Sequence, residues 1–552
     1  MAKVLLVDAN PAVTASPVAP YGMERVAHAF KWAGCQVRME APFIEADPLS
    51  ALRVALAWGP DLVGFSVPGI DDGLTVRSPE GPGDVDTTFH LDAIKPLVVE
   101  AIAHMGGDRV LIGGTALSSG PDGVLAYLGG RIGITGPADD LCWKIGRELA
   151  KGRLEIPEDP RVILLGDPHP LPRGFADPWR PAPGPTPRMP TWQGLALARG
   201  GRVAVQISAG CDRRCAFCAE AHFLGFRVTP RPVDEIATEI EALRRSGVRR
   251  FWLGASELNV PDTRHALRVL AKLAPMKLDL RATLQAAPVT DALLDGMIAA
   301  GVDPATTSFR LGHLDDDVLR AGGGPTNRAS IDRLVSTWLR RGIRRLTASV
   351  WLGAHPSETE ETLSRALAAI VEIDHALPEG LHLQVSAGAR VYPQTALARY
   401  VTAHREAAEP YLFGAVEDPT FVRPVVFSRP RPPRSLLTRV TSALAGLRGS
   451  VHVLNGDGPS DVDHRRAEAL VNRGLWRQFE DRDDLAEACL VDALEAAPLH
   501  VDALWQLGMS RANRTFNPTG AIDVLRKLAA ALPPGDPRRP EVESTLTTLG
   551  TC

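Results

Sequence analysis

The sequence predicts an α/β protein in which a doubly wound parallel sheet is followed by a partial (βα)6 barrel and then by an α-helical domain. Three observations lead to this prediction. Short β-branched runs alternate with amphipathic stretches in residues 1–152 and again in residues 196–400. A proline-rich linker at 153–195 separates these two regions, and only helical periodicity continues in residues 466–552.

Length, charge and cysteine count limit the possible functions. The 552 residues allow three to four domains, and 61 Lys+Arg against 65 Asp+Glu leave no broad basic field for nucleic acid or anionic lipid. No apolar run reaches the roughly 18 residues that cross a bilayer, and the N-terminal run is too short for a secretory signal, so we expect a cytoplasmic protein without a membrane partner. Seven cysteines are too few for a disulfide framework, but three of them lie close together, which suggests a metal site.

The first domain is predicted to contain five parallel strands with helices on both faces of the sheet. The strands are expected at 4–7, 37–39, 62–67, 110–112 and 132–134, and the helices at 23–32, 49–58, 91–104 and 141–149. Ligands of such sheets bind outside the carboxyl ends of the strands. The loops that follow these strands are therefore the expected binding site of this domain.

The second domain repeats the βα unit six times. Its strands are expected at 203–207, 250–253, 278–282, 306–311, 345–352 and 381–389, and its helices at 233–246, 264–273, 291–300, 328–341 and 358–373. Six units are fewer than the eight of a closed barrel, so we expect an incomplete barrel whose strand ends face one open mouth. The recurring prolines at 166–189 predict that the linker before it is semi-rigid.

The last part of the chain has a helical period. Residues 503–533 match the roughly 34-residue helix–turn–helix spacing of a tetratricopeptide (TPR) unit, and a weaker copy runs through residues 467–498. This TPR-like domain is interpreted either as a helical layer that caps the barrel or as a surface that docks a partner protein. Residues 401–465 are expected to connect it to the barrel and to cover the substrate site.

Three cysteines after the first barrel strand carry the clearest chemical signal. Cys211, Cys215 and Cys218 form a C-x3-C-x2-C run, with Phe217 before the last thiol. Three thiolates on one loop can hold three corners of a 4Fe–4S cluster and leave the fourth iron open. Zinc is the alternative, but its closed sites take four ligands and the nearest candidate, His222, lies only four residues further on.

This loop and four later segments resemble the radical S-adenosylmethionine (SAM) superfamily, in which the open iron is chelated by the methionine part of SAM. The segments are 252–257, 308–312, 353–359 and 391–397, in the order of the family. The resemblance implies a 4Fe–4S cluster on the three cysteines and SAM contacts from Phe217, Gly254, Ser256, Glu257, Ser308, Arg310 and Tyr392. On the residues alone, Arg310 is equally compatible with a buried ion pair and Glu257 with a helix cap.

The first domain is similar to the cobalamin-binding domain of the cobalamin-dependent (class B) branch of this superfamily. The similarity implies that cobalamin contacts Ser66, Val67, Pro68, Gly69, Gly113, Gly114, Thr115 and Gly136, although the glycines also suit an ordinary turn. Pro68 and Gly69 replace an arginine and an asparagine of the family's loop. The segment around His169 starts like the signature of histidine-ligated cobalamin proteins, but Pro172 stands where that signature needs glycine. We therefore expect no protein histidine on the cobalt.

The resemblance implies that the protein is a cobalamin-dependent radical SAM C-methyltransferase, which transfers a methyl group from methylcobalamin to a carbon of a natural-product or amino-acid-derived substrate. A small molecule or peptide would be the substrate, a flavodoxin or ferredoxin the electron donor, and antibiotic biosynthesis a setting suggested by analogy. The alternatives are ring contraction or cyclisation, nonradical methylation of an electron-rich carbon such as an indole, and a non-catalytic helical-repeat scaffold. Because no cysteine cluster follows residue 218, auxiliary clusters and sulfur insertion are disfavoured.

Overall fold

The structure is a computed structural model that describes residues 1–12, 17–166, 188, 190–324, 326–453 and 462–550. Most of the predicted linker, including the segment around His169, lies outside these residues. No described helix combines the length and the apolar character that a membrane span requires.

The N-terminal domain is a six-stranded sheet between two layers of helices. Its strands are β1 (Lys3–Asp8), β2 (Gln36–Glu40), β3 (Leu62–Ser66), β4 (Val110–Gly113), β5 (Ile132–Ile134) and β6 (Val162–Leu164). Its helices are α1 (Tyr21–Trp32), α2 (Pro48–Leu56), α3 (Leu91–Met105), α4 (Thr115–Ser119), α5 (Pro121–Leu128) and α6 (Asp139–Ala150). The five predicted strands are confirmed and run parallel in the order β2-β1-β3-β4-β5, which puts the topological switch point between β1 and β3. The antiparallel edge strand β6 and the short helices α4 and α5 were not predicted.

The middle domain is an open barrel of parallel strands. Its strands are β7 (Val203–Gln206), β10 (Arg250–Gly254), β11 (Asp279–Arg281), β12 (Thr283–Gln285), β13 (Ser308–Gly312), β14 (Leu346–Leu352), β15 (Leu381–Ala387) and β19 (Ser450–Val453). Its main helices are α9 (Val233–Arg245), α10 (Thr263–Leu273), α11 (Asp291–Ala300), α13 (Arg328–Arg340) and α14 (Glu360–Ala376). All six predicted strands are confirmed, with the third interrupted at Ala282. The seventh strand, β19, extends the sheet beyond β15 and comes from residues 401–465, which were expected to connect domains and cover the substrate site.

Shorter elements surround the mouth of the barrel. They are β8 (Ser208–Ala209), β9 (Thr229–Pro230), β16 (Ala389–Arg390), β17 (Leu412–Gly414) and β18 (Val425–Phe427), with the helices α8 (Glu220–Leu224), α12 (Asp316–Ala321), α15 (Ala396–Ala403), α16 (Arg405–Ala408) and α17 (Pro433–Ala443). Strands β16, β17 and β18 form a small antiparallel sheet. Strands β8 and β9 pair with each other and flank the loop that carries the three clustered cysteines.

The C-terminal domain consists of antiparallel helices. They are α18 (Val462–Phe479), α19 (Asp483–Ala496), α20 (Val501–Asn513), α21 (Pro518–Ala531) and α22 (Arg539–Gly550). The two predicted helix pairs are confirmed as α18/α19 and α20/α21. Helix α7 (Pro190–Ala198), at the end of the predicted linker, packs against α18, where the rings of Trp192 and Trp476 meet edge to face with centroids 5.2 Å apart.

The carboxyl edge of the N-terminal sheet faces the mouth of the barrel. Helix α4, which follows β4, packs against α8, which follows the cysteine loop. Arg188 reinforces the interface, because its guanidinium lies 3.0 Å from Glu24 of α1 and 2.5 Å from Glu239 of α9. The two expected binding regions therefore meet at one interface.

Candidate cofactor-binding site

The cysteine loop begins where β8 ends and is held by backbone contacts. Gly210 has φ +90°, and a Cβ there would lie 2.0 Å from the carbonyl oxygen of Arg227, so only glycine fits. The N–H of Cys211 donates to the carbonyl of Gly225 at 2.9 Å, and the hydroxyl of Ser256 donates to the carbonyl of Gly210 at 3.1 Å. The loop is thus fixed in place by the turn that follows β10.

The three thiols of this loop line one cavity of about 520 Å³. Burial raises the pKa of Cys211 to about 12 and also raises the pKa values of Cys215 and Cys218. A cationic iron cluster would offset that burial by stabilising the thiolates, which are its ligand form. The donor set therefore fits a 4Fe–4S cluster.

The spacing of the sulfurs argues against a single zinc ion. Thiolates bound tetrahedrally at 2.3 Å lie about 3.8 Å from one another. Among the described residues, one group of three potential metal ligands has all its ligand atoms within 4.8 Å of one another, namely His464, Glu468 and His500. The three cysteines do not form such a group. At least two of the three cysteine sulfurs therefore lie more than 4.8 Å apart, which is wider than the spacing around one zinc ion.

Glu257 and Arg310 lie side by side in the same cavity. The guanidinium Nε of Arg310 is 3.6 Å from Oε1 of Glu257, while Oε2 of Glu257 is buried and has no hydrogen-bond partner. Burial raises the pKa of Glu257, and the nearby Arg310 opposes that rise. An unsatisfied buried carboxyl oxygen is unfavourable without a ligand, and it suits an ammonium group such as that of SAM.

An aromatic wall closes one side of the cavity. Phe217 stacks on Trp351 with ring centroids 5.3 Å apart and an interplanar angle of 27°. The rest of the lining includes residues that the sequence did not single out: Arg213, Arg214, Glu220, Phe226, Gln285, Thr326 and Arg399. Gln285 ends β12 and accepts a hydrogen bond from Thr326 at 3.3 Å. Its position at the carboxyl end of a predicted barrel strand is the signal that could have found it.

The structure distributes the seven expected SAM contacts over different places. Phe217, Glu257 and Arg310 line the cavity. Gly254 and Ser256 lie behind it, where the carbonyl of Gly254 accepts from the N–H of Ile207 at 2.8 Å and Ser256 holds Gly210. These two residues support the cysteine loop from the end of β10.

Ser308 and Tyr392 lie away from the cavity. Ser308 begins β13 and is two residues below Arg310, about 6.7 Å further from the mouth of the barrel. The hydroxyl of Tyr392 donates to Oδ1 of Asp71 at 2.7 Å, in the loop after β3. Tyr392 therefore joins the two domains, and Ser308 lies at the start of its strand.

A second cavity, of about 240 Å³, opens on the α1/α6 face of the N-terminal sheet. Ser66, Gly113, Gly114, Thr115 and Gly136 line it among mainly apolar neighbours. Gly114 has φ +100°, and a Cβ there would lie 2.2 Å from the carbonyl oxygen of Val67. At Gly64 a Cβ would come within 2.9 Å of Cδ2 of Leu6, the end of a side chain that can shift.

This glycine-lined cavity reaches from the sheet to the barrel, because Gln206 of β7 forms part of its wall. Val67 is buried beside it and accepts from the N–H of Ala116 at 3.2 Å, while the carbonyl of Pro68 accepts from the Thr115 hydroxyl. Pro68 is exposed and Gly69 half-buried at the sheet edge. A narrow apolar slot lined by glycine at a switch point fits the nucleotide tail of cobalamin.

Comparison with known proteins agrees with this geometry. Residues 205–370 match the model of the radical SAM superfamily. The tryptophan 2-C-methyltransferase of Streptomyces laurentii is 25% identical over 455 residues, which cover 71% of this chain and 73% of that protein. The ribosomal protein uS12 methylthiotransferase RimO of Frankia alni is 41% identical, but only over 80 residues, or 14% of each chain.

Two solved structures share the fold over most of the chain. TsrM from Kitasatospora setae, a radical SAM methyltransferase solved with cobalamin and a 4Fe–4S cluster, has a TM-score of 0.66 at 20% identity and covers 90% of this chain and all of that one. OxsB, a cobalamin-dependent radical SAM enzyme, has a TM-score of 0.63 at 12% identity over all of this chain and 84% of that one. Residues 205–370 are thus a radical SAM domain, within a chain that has the fold of TsrM and OxsB.

Proposed function

We propose that this protein is a cobalamin-dependent radical SAM C-methyltransferase that acts on a small molecule. The observation that carries the proposal is the packing of α4 on α8. Thr115 and Ser118 of α4 border the glycine-lined cavity, while Glu220 and His222 of α8 border the cysteine-lined one. A methyl group held on one side and an activated nucleoside held on the other would then meet at a single interface.

The bound cofactors would supply the methyl group and its activation, and the chain would supply binding and orientation. Cys211, Cys215 and Cys218 hold the cluster. Glu257 accepts the ammonium group of SAM, and Arg310 holds Glu257 in place. The stacked rings of Phe217 and Trp351 shield this side of the cavity from water, which strengthens the charge interactions inside it.

The cavity lining favours a planar substrate that carries an acidic group. Trp351, Phe217 and Phe226 offer aromatic surface, whereas Arg214 and Arg399 bring positive charge without a carboxylate partner in the described parts of the chain. The related protein from Streptomyces laurentii methylates tryptophan, and TsrM has been solved with tryptophan bound. Tryptophan and its derivatives are therefore the first substrates to try, in a cytoplasmic reaction supplied with electrons by a flavodoxin or ferredoxin.

A second candidate keeps the cofactors but changes the chemistry at the substrate. The similarity to a tryptophan 2-C-methyltransferase favours polar methylation of an electron-rich ring carbon. Deuterium on the accepting carbon is lost in either mechanism, but only a radical route yields 5′-deoxyadenosine in step with product. The ratio of 5′-deoxyadenosine to methylated product therefore separates the two.

The test is anaerobic reconstitution with iron, sulfide and hydroxocobalamin, followed by incubation with SAM, a reductant and tryptophan. We expect cluster and corrin absorption and a product heavier by one CH2. The triple variant Cys211→Ala/Cys215→Ala/Cys218→Ala should lose the cluster absorption and the product, whereas Cys489→Ala, in the helical domain, should keep both. Methyl transfer by the triple variant, or a wild-type protein that binds neither cofactor, would overturn the proposal.

A further inference from the structure

Asp8 ends β1 at the carboxyl edge of the N-terminal sheet. In the parallel register Asp8 pairs with Ser66 of β3, and Ser66 pairs with Gly113 of β4. Ser66 and Gly113 line the glycine-lined cavity, as does Leu6, which shares a face of β1 with Asp8. Asp8 therefore ends β1 next to two lining residues, Leu6 and Ser66, beside the topological switch point between β1 and β3.

The carboxyl group of Asp8 has no partner in the described structure. The residue is only 5% exposed, and its side chain makes no hydrogen bond or ion pair with any described residue. Burial alone raises the pKa of Asp8 to about 7, without a contribution from a neighbouring charge. A buried carboxyl group without a partner destabilises the fold, so the fold itself does not account for an aspartate here.

The other acidic residues along this interface have structural partners. Asp139 of α6 pairs with Arg25 at 2.8 Å, and Asp71 pairs with Arg390 at 2.7 Å. Both pairs are buried and satisfied within the protein. Asp8 differs from them, because no described residue pairs with its carboxyl group.

We propose that Asp8 is a cobalamin-binding residue whose carboxyl group forms a hydrogen bond with an amide or hydroxyl group of the bound cofactor. The inference rests on the proposed function, since it requires that this cavity holds cobalamin. The hydrogen-bond donor must be uncharged or positive, because a buried carboxyl group repels phosphate. Corrin side chains end in carboxamides, which are such donors.

The test is an equilibrium titration of the apoprotein with hydroxocobalamin, in which absorption spectra measure the bound cofactor. Asp8→Ala should weaken binding about tenfold, and Asp8→Asn, which keeps a hydrogen-bonding oxygen, should stay within about threefold of wild type. Asp108→Ala is the matched control, since Asp108 lies in the same domain with its side chain 69% exposed. It should bind cobalamin like the wild type.

Thermal unfolding of the apoproteins separates a binding role from a structural one. Removal of an unpartnered buried carboxyl group should leave the midpoint of Asp8→Ala unchanged or higher. Wild-type cobalamin affinity in Asp8→Ala, or an Asp8→Ala apoprotein that is less stable or does not fold, would overturn the inference. If wild-type protein itself binds no cobalamin, the proposed function fails instead.

Discussion

Arg390 of β16 and Asp71 of the loop after β3 form a buried ion pair across the boundary between the sheet domain and the barrel. Nε of Arg390 lies 2.7 Å from Oδ2 of Asp71, and both side chains are at most 1% exposed. The other oxygen of Asp71 accepts from Tyr392, and Arg390 also donates to the carbonyls of Phe421 and Val422. The loop beside the glycine-lined cavity is therefore fixed to the barrel by a fully satisfied charge pair.

Arg390→Ala should destabilise this boundary strongly. It leaves the Asp71 carboxylate buried without its counter-ion, which typically costs about 3–5 kcal/mol. Urea unfolding of the apoprotein measures the loss. Arg53→Ala is the control, because Arg53 forms a solvent-exposed pair with Glu100 in the sheet domain, and its loss should cost far less stability. Equal losses in the two variants would mean that the boundary does not depend on this pair.

Glu257→Gln should weaken SAM binding. The substitution removes the negative charge of Glu257 from the cysteine-lined cavity and leaves Glu220, 4.0 Å away, as the acidic neighbour of Arg310. A charge-assisted hydrogen bond of about 1.5–3 kcal/mol corresponds to a roughly 10- to 150-fold rise in the dissociation constant. Calorimetric titration of the reconstituted protein with SAM gives this constant.

Glu241→Gln on the outer face of α9 is the control for that measurement. Glu241 pairs with Arg244 far from the cavity, and its substitution should leave SAM affinity unchanged. A Glu257→Gln protein that binds SAM as tightly as the wild type would exclude Glu257 as the ammonium acceptor.

Gly114→Ala should disrupt the glycine-lined cavity. Its Cβ would lie 2.2 Å from the Val67 carbonyl oxygen, so the loop after β3 must move. Gly34→Ala is a matched control, since Gly34 also has a positive φ, +91°, but has open space around it. Both variants bear backbone strain from a positive φ, but only Gly114→Ala should lose cobalamin binding by more than about tenfold. Equal cobalamin affinities in dialysis would contradict this assignment.

The stability of the apoprotein should fall as pH rises from about 4 to about 7 because of Asp8. Its pKa is raised from 3.8 to about 7 in the folded protein, so the folded state holds the proton more tightly than the unfolded state. The free energy of unfolding falls by at most about 1.4 kcal/mol per pH unit. Asp8→Asn removes this dependence, and the difference in unfolding midpoint between it and the wild type should grow from pH 5 to pH 8. A constant difference would show that Asp8 keeps an ordinary pKa.

The parallel strands were predictable because their buried faces require continuous β-branched runs. The edge strands β6 and β19 were not, since three or four residues such as those of Val162–Leu164 acquire strand character only by pairing with distant residues. Helices α4 and α5 were missed because Gly120 and Gly129 interrupt their helical pattern. These glycines are helix boundaries, and Gly129 is a left-handed C-cap.

In the candidate site, the motif residues nearest the cysteines were easier to place than the distant ones. Glu257 and Arg310 line the expected cavity, whereas Ser308 lies at the start of β13, two residues before Arg310 on the same face of the strand. Asp8 belongs to no motif. Asp8 is singled out because it is buried without a partner, which only a three-dimensional structure can show.

Gln206 belongs to the first barrel strand, yet it completes the wall of the cavity in the N-terminal sheet. The sheet domain expressed as a fragment would consequently lack one wall of its own binding cavity.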